Sequence, residues 1–456
     1  MLQRLARELG IHHLRNSYST RDVWLLMASR FIRLLGFGAF APVLILFLRS
    51  LDIPAEQVGL FLSATLAGDV LVSFAVTWTA DKLGRKRMLA LGSMLMGVSG
   101  IVFYATSNYS ALLVAAVVGI ISPSGNETGP FAAVEQAALS QLTDSDGRVS
   151  LLMWYQVLGF FGISAGNVLT SVLISTAEKS GLSLSDSYRR VFLAYALVAM
   201  IKVALSFAMT SNVEVDHPTY APPTAVDPTS EGVQDPERQP LLQSGACARP
   251  GSAVDPAETP TVLTPPAALS KGRLVALCLI FALDSFASSL IPLSFFCYYF
   301  REEYQAPITL ITQTFSITAL IGCASQLLAG AISARLGIIL TMVATHMPAQ
   351  LFTIGVGLSP SLPVALTFFI GRACIASMDS SVRGAFLAAI VPKESRTRFL
   401  GIINICKTLA STPGPTLSLG LAALGSMRYS FVIAGGLKLL YDVALFIGFK
   451  TAKLEH

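Results

Sequence analysis

Arg33, Glu127, Asp284 and Arg372 each stand inside a long apolar run of the sequence, with Asn126 beside Glu127. A charge in such a run is expensive to bury and by default faces a partner or water. The chemistry open to these residues is narrow. Glu127 and Asp284 can take up and release a proton, and the guanidinium groups of Arg33 and Arg372 can hold an anion or the carboxylate of a zwitterion. Arg30, Glu135, Asp379 and Arg383 share the pattern. Glu127 and Glu135 are eight residues apart, and Arg372, Asp379 and Arg383 are spaced by seven and four, so each set lies on one face of a helix. Pro123, Gly125, Gly129 and Pro130 interrupt the run around Asn126 and Glu127. That break can turn backbone amides and carbonyls toward a cavity; a plain kink is the other reading. Covalent chemistry has no counterpart here. There is no G-x-x-x-x-G-K-(S/T), no nucleophile elbow and no cluster with metal-ligand spacing. These absences disfavour an ATP-driven pump or an enzyme, and no metal or cofactor is expected.

The elements that must hold these charges are membrane helices. Of 456 residues, 53% are hydrophobic and only 13% charged, and the mean hydropathy is +0.64. Soluble domains carry roughly 25% charged residues, so the partner is a lipid bilayer. The net charge of +5 is not a nucleic-acid signal, because the basic residues fall in short loops where they set topology. The six cysteines are scattered and form neither a disulfide framework nor a zinc spacing. Apolar runs long enough to span fall near 23–49, 57–80, 88–106, 111–141, 149–175 and 188–210, then near 272–299, 307–333, 337–357, 363–391, 398–424 and 428–449. The expected fold is an all-α membrane protein with twelve transmembrane helices as two six-helix repeats. Its expected parts are a tail (1–21), a first bundle (22–211), a disordered linker (212–270), a second bundle (271–450) and a short tail (451–456). The basic clusters alternate so that both termini fall on the cytoplasmic side.

Other polar residues in the runs read as structural. Lys202 and Asp69 stand alone, Lys438 and Asp442 form an i, i+4 pair, and His346 reads as a hydrogen-bonded packing residue with proton carriage as the alternative. In the linker, Glu237 with Leu241 and Leu242 fits the acidic dileucine pattern (D/E)-x-x-x-L-L, read by sorting adaptors. That pattern favours a vacuolar or endosomal membrane, with the plasma membrane as the alternative.

Between the second and third runs lies Thr77-Trp-Thr-Ala-Asp81-Lys82-Leu-Gly84-Arg85-Lys86-Arg87. It resembles the signature G-x-x-x-D-(R/K)-x-G-(R/K)-(R/K) of the major facilitator superfamily, with Asp81, Lys82, Gly84, Arg85 and Lys86 matching and Thr77 in place of the first glycine. A weaker copy runs from Gly330 through Arg335 to Gly337, with Ala334 where the aspartate would stand. Leu139–Gly166 also aligns without gaps on Leu387–Gly414. In more detail, Gly119–Pro130 and Glu135-Gln136 resemble a fungal and bacterial permease group. The Gly162-x-x-x-Gly166 spacing is that of the family's drug antiporters, but Asn167 replaces their proline.

The resemblance implies two six-helix halves with helices 1, 4, 7 and 10 around a midplane substrate site. Counting 1.5 Å per residue from the expected helix starts puts Arg33, Asp284 and Arg372 roughly 15–20 Å deep, near the middle of the bilayer. Glu127 falls slightly to the cytoplasmic side, and Glu135 and Arg383 fall near the cytoplasmic face as structural residues. The resemblance further implies a conformational latch at Asp81 and Arg85. The function it implies is secondary active transport of a small solute by alternating access. Glu127 and Asp284 would couple protons, and Arg33 and Arg372 would suit an anionic or zwitterionic substrate. A facilitative uniporter and a non-transporting sensor or receptor are the alternatives.

Overall fold

The structure, a computed structural model, describes residues 20–119, 121, 130–143, 145–214, 271–390 and 396–449. They fall in one compact unit. Asn126, Glu127, residues 1–19 of the N-terminal tail and the dileucine segment lie outside the described residues, as do the side chains of Asp81 and Lys82.

α1 (Thr20–Phe40) passes through a 3-10 turn at Pro42 into α2 (Leu44–Ser50). α3 (Ala55–Leu83), α4 (Arg85–Ala105), α5 (Tyr109–Val118), α6 (Pro130–Gln141), α7 (Ser145–Lys179) and α8 (Leu184–Ala208) complete the first half. The second half comprises α9 (Lys271–Leu290), α10 (Leu293–Tyr304), α11 (Ile308–Leu336), α12 (Ile338–Leu358), α13 (Leu362–Ala376), α14 (Met378–Ile390), α15 (Arg396–Ser411), α16 (Gly414–Ala423) and α17 (Met427–Phe449). Among the described residues, nine helical segments are long and apolar enough to cross a membrane. The three other expected runs are each two shorter helices: α5 with α6, α13 with α14, and α15 with α16. At the last break Pro413 caps α16 and Pro415 sits in its first turn, where a missing backbone N–H costs nothing.

The repeat read from the sequence is visible in backbone and packing. Gly84 joins α3 to α4 at φ +92°, and Gly337 joins α11 to α12 at φ +80°. Only glycine adopts that left-handed backbone without strain. In the first half α1 packs on α7 and α4 on α8; in the second, α9 packs on α15 and α12 on α17. Across the halves α3 packs on α16 and α7 on α11, again related pairs.

Apolar burial is distributed unevenly along the helices. Phe47, Phe61 and Phe192 of the first half join Phe296, Phe300 and Phe431 of the second in one continuous buried cluster. At the opposite ends each half keeps its own: Val23, Met88, Leu139 and Leu151 in one, Phe281, Met342, Phe386 and Leu445 in the other. The halves therefore fuse at the end away from Gly84 and Gly337, and are separately packed at the end where those glycines lie.

The α1–α7 crossing is close. A Cβ on Gly166 would stand 2.2 Å from the Leu35 carbonyl oxygen, and one on Gly38 would stand 2.3 Å from that of Ile163. Backbone cannot yield as a side chain tip can. Gly166→Ala should therefore cost about 1–3 kcal/mol of stability. Gly436→Ala, where the added atom meets nothing within 4 Å, should cost none. Unfolding temperatures of the two variants in detergent would check this; equal values would show that the crossing relaxes freely.

Candidate functional site

Glu135 on α6 is the hub of a buried charge cluster in the first half. Arg33 donates to its Oε2 at 3.1 Å and the Tyr155 hydroxyl to the same oxygen at 2.6 Å. Ser29 donates to Oε1 at 3.1 Å, and the Lys202 ammonium lies 3.5 Å from it. Arg30 stacks over the Tyr155 ring at 4.5 Å and donates to Gln156 Oε1 at 2.7 Å. Helices α1, α6, α7 and α8 are tied by this one carboxylate.

Asp284 on α9 has the corresponding place in the second half. Arg383 on α14 donates to its Oδ2 at 2.6 Å and also binds Asp379. Lys438 on α17 lies 3.6 Å from Asp284 Oδ1, and His346 Nε2 on α12 lies 3.8 Å from it. His346 Nδ1 meets Asp442 Oδ1 at 2.8 Å.

Three expectations change. Lys202 is not isolated, since it faces Glu135. Lys438 and Asp442 do not serve one another, since the first faces Asp284 and the second His346. Glu135 and Arg383, expected near the membrane face, touch Arg33 and Asp284, expected near its middle. Counting rise along a single helix ignores the break between α5 and α6 and the length of an arginine side chain.

Arg372 on α13 is placed differently. It lines a cavity of about 370 Å³ between the halves, walled by α1, α7, α10, α11 and α13. Its guanidinium lies 5.4 Å from the Phe296 ring centre, and its Nε is buried with no hydrogen-bond partner. Among the described residues no carboxylate pairs with it, and it is the one charged residue on the cavity wall. Asn167 lines the same cavity. It is fully buried, its Nδ2 is used on Ile163 O at 2.9 Å, and its Oδ1 has no partner.

The signature basics hold the chain that follows α8. The Arg85 and Lys86 backbone N–H groups donate to the Glu214 carboxylate at 2.6 and 3.3 Å. The Arg85 side chain donates to Gln141 Oε1 at 2.7 Å and the Lys86 ammonium to Met209 O at 2.6 Å. A carboxylate on the first amides of α4 also complements the helix dipole.

The family model described as Major Facilitator Superfamily matches residues 26–378. The chain belongs to this superfamily of transporters. An uncharacterized membrane protein of Saccharomyces cerevisiae is 30% identical to this facilitator over 431 residues, 94% of each chain. Among solved structures it is similar to a bacterial homologue of the human lysosomal transporter Spinster in an inward-facing, occupied conformation. That match has 13% identity and a TM-score of 0.67, and covers 95% of this chain and 97% of that one. It is similar too to the inward-open xylose transporter XylE of E. coli, at 14% identity and TM-score 0.67, over 95% and 98% of the chains. At such identities the likeness is one of fold.

Of the residues singled out from sequence, the structure brings Arg33 to Glu135 and Asp284 to Arg383, and leaves Arg372 facing the cavity. Sequence reading missed Tyr155 and Lys438 as cluster members and Asn167 as a wall residue of the facilitator's cavity. A polar residue inside an apolar run was the available signal for all three. The cavity phenylalanines had none, because the chain has 26 of them.

Glu135→Gln would leave Arg33 and Lys202 buried without their carboxylate. Loss of one partner from such a cluster costs about 3–5 kcal/mol. The variant should unfold at markedly lower temperature, and adding Lys202→Met should recover part of the loss. A double variant no more stable than the single one would show that Lys202 does not depend on Glu135.

Proposed function

We propose that this facilitator is a proton-coupled secondary transporter that moves a small anionic or zwitterionic solute by alternating access. The observation that carries the reading is Arg372, a cation without an acidic partner among the described residues, on the wall of a cavity between the two halves. A buried cation without an anion is costly, so the site favours an anionic group arriving from outside. The uneven closure of the halves supports the mechanical part. One end is sealed by a shared apolar cluster and the other is packed half by half, which is one of the two states a rocking carrier needs.

Proton coupling rests on the carboxylates. Asp284 faces three basic groups at once, and protonating it would free Lys438 of its anion while leaving Arg383 to Asp379 and His346 to Asp442. Glu127 and Asn126 belong to the same proposal, as does Arg33, whose hold on Glu135 would change with substrate or proton. Asp81, Lys82, Gly84, Arg85 and Lys86 would act as the conformational latch. Both termini and the 212–270 linker would lie in the cytoplasm, in a vacuolar, endosomal or plasma membrane, with Glu237, Leu241 and Leu242 open to a sorting adaptor.

Reconstitution tests the reading. Proteoliposomes holding the full chain should accumulate an anionic solute when a proton gradient is imposed. Asp284→Asn should abolish accumulation while leaving counterflow exchange, and Arg372→Glu should abolish both. Flux that ignores the gradient would replace the coupled carrier by a uniporter. Absence of any flux, with output lost on deleting residues 218–266, would replace it by a sensor.

A further inference from the structure

The wall around Arg372 limits what the anion can be. Five phenylalanines line the cavity: Phe37 and Phe160 from the first half, and Phe296, Phe315 and Phe369 from the second. Phe369 lies 4.9 Å from Phe296 and 5.1 Å from Phe315, ring centre to ring centre, so three of the rings form a continuous aromatic surface on the second half, of which only 2–3% is exposed at each residue. Arg372 rests against that surface. The remaining polar wall groups are few. The Thr318 hydroxyl is used on Phe315 O at 3.0 Å and the Ser377 hydroxyl on Gly322 O at 2.9 Å. Among the described wall residues, Asn167 Oδ1 alone is an unpartnered buried acceptor, and it belongs to the opposite half.

Taken together, the wall offers one forked cationic donor, one neutral acceptor across the seam and aromatic surface between. We infer that the solute is an aromatic monocarboxylate carrying a neutral N–H or O–H donor. Its carboxylate binds Arg372, its ring lies on the phenylalanine surface, and its donor reaches Asn167. The inference rests on the carrier reading for its setting and narrows it to a substrate class. A dianion would bring a second charge into a cavity with one cation. An ammonium group would find no carboxylate among the described wall residues. A short aliphatic acid would leave the aromatic surface uncovered. The cavity volume of about 370 Å³ is at the small end of ligand sites, which suits one ring with short substituents. The geometry also assigns discrimination. A site whose buried acceptor is left unpaired rejects the ligand lacking the donor more strongly than an apolar wall rejects a missing methylene.

Titration calorimetry of the full chain in detergent with 4-hydroxyphenylacetate, phenylacetate, 4-hydroxyphenylacetamide, acetate and tyramine tests this. The hydroxylated acid should bind most tightly and phenylacetate more weakly, with the amide, acetate and tyramine weakest. Arg372→Gln should weaken the hydroxylated acid roughly 10- to 100-fold, and Arg372→Lys should restore part of the affinity. Asn167→Ala should remove the difference between the two aromatic acids, by weakening the hydroxylated acid more than phenylacetate. Each variant is compared at a gel-filtration profile and unfolding temperature matching the wild type. If Arg372→Gln alone misfolds, Arg372→Lys and Asn167→Ala carry the test.

Three results would overturn the inference: amide or amine binding as tightly as the acid, acetate binding as tightly as phenylacetate, or no probe binding at millimolar concentration. The two readings fail separately. If tyramine or acetate is the solute that crosses proteoliposomes, the carrier stands and the aromatic acid class falls. If the hydroxylated acid binds as expected but no solute crosses, the class stands and the carrier falls.

Discussion

A charge removed from water has to be met inside the protein, and each half of this molecule is fastened by one such meeting. Glu135 gathers Arg33, Lys202 and Tyr155 from three helices. Asp284 gathers Arg383, Lys438 and His346 from three others. Removing one member would strand charge in a low dielectric, so each cluster fastens together the helices that it joins. The repeat adds a further regularity. The register that sets Leu139 on Leu387 sets Glu135 on Arg383, so the fourth helix of one half offers the acid where that of the other offers the base. Acid and base have exchanged positions while the bond between a first-helix and a fourth-helix residue is kept.

Against that background Arg372 is the exception on which the proposed site rests. Every other buried guanidinium described above has an oxygen partner on a neighbouring helix or an i, i+4 acid. Arg372 has an aromatic face and a cavity. Rings cannot replace a carboxylate, because a cation–π contact contributes about 0.5–2 kcal/mol where a desolvated charge costs several. An aromatic wall holds the guanidinium in place without neutralising it. That combination leaves it available to an incoming anion.

How much of this was readable in the chain divides along physical lines. Gly84 and Gly337 were legible because they hold matching places in a repeated signature where the chain reverses between helices, and the two related halves followed from that repeat and from the six-plus-six apolar runs. Burial of Arg33, Asp284 and Arg372 was legible because their flanking residues are apolar. Partnership was not. Helical spacing tells which face of its own helix a residue occupies, so Lys438 and Asp442 read as a pair at i, i+4 when each is claimed by a group on another helix. Lys202 read as solitary for the same reason, its partner being 67 positions away in the chain. The aromatic wall was hidden differently: phenylalanine in a membrane helix is unremarkable until the fold brings five of them around one cavity.

The contacts between the halves differ in kind from those within them. Among the described residues every ion pair joins two residues of one half. Across the seam the polar contacts among the described residues include two hydroxyl pairs, Ser63 with Thr416 at 2.7 Å and Ser164 with Ser316 at 2.6 Å, and the Gln313 amide donating to the Ser171 hydroxyl at 3.5 Å, set among apolar side chains. A neutral hydroxyl pair is worth about 1 kcal/mol net and can be exchanged for water or another hydroxyl without stranding a charge. An ion pair at the same place could not part without several kcal/mol of desolvation cost. Ser164 and Ser316 each adjoin a residue of the cavity wall, Ile163 and Phe315, so the exchangeable contact sits beside the site. Strong bonds within each half and weak ones between them are the distribution that the proposed rocking of the halves about a bound solute requires.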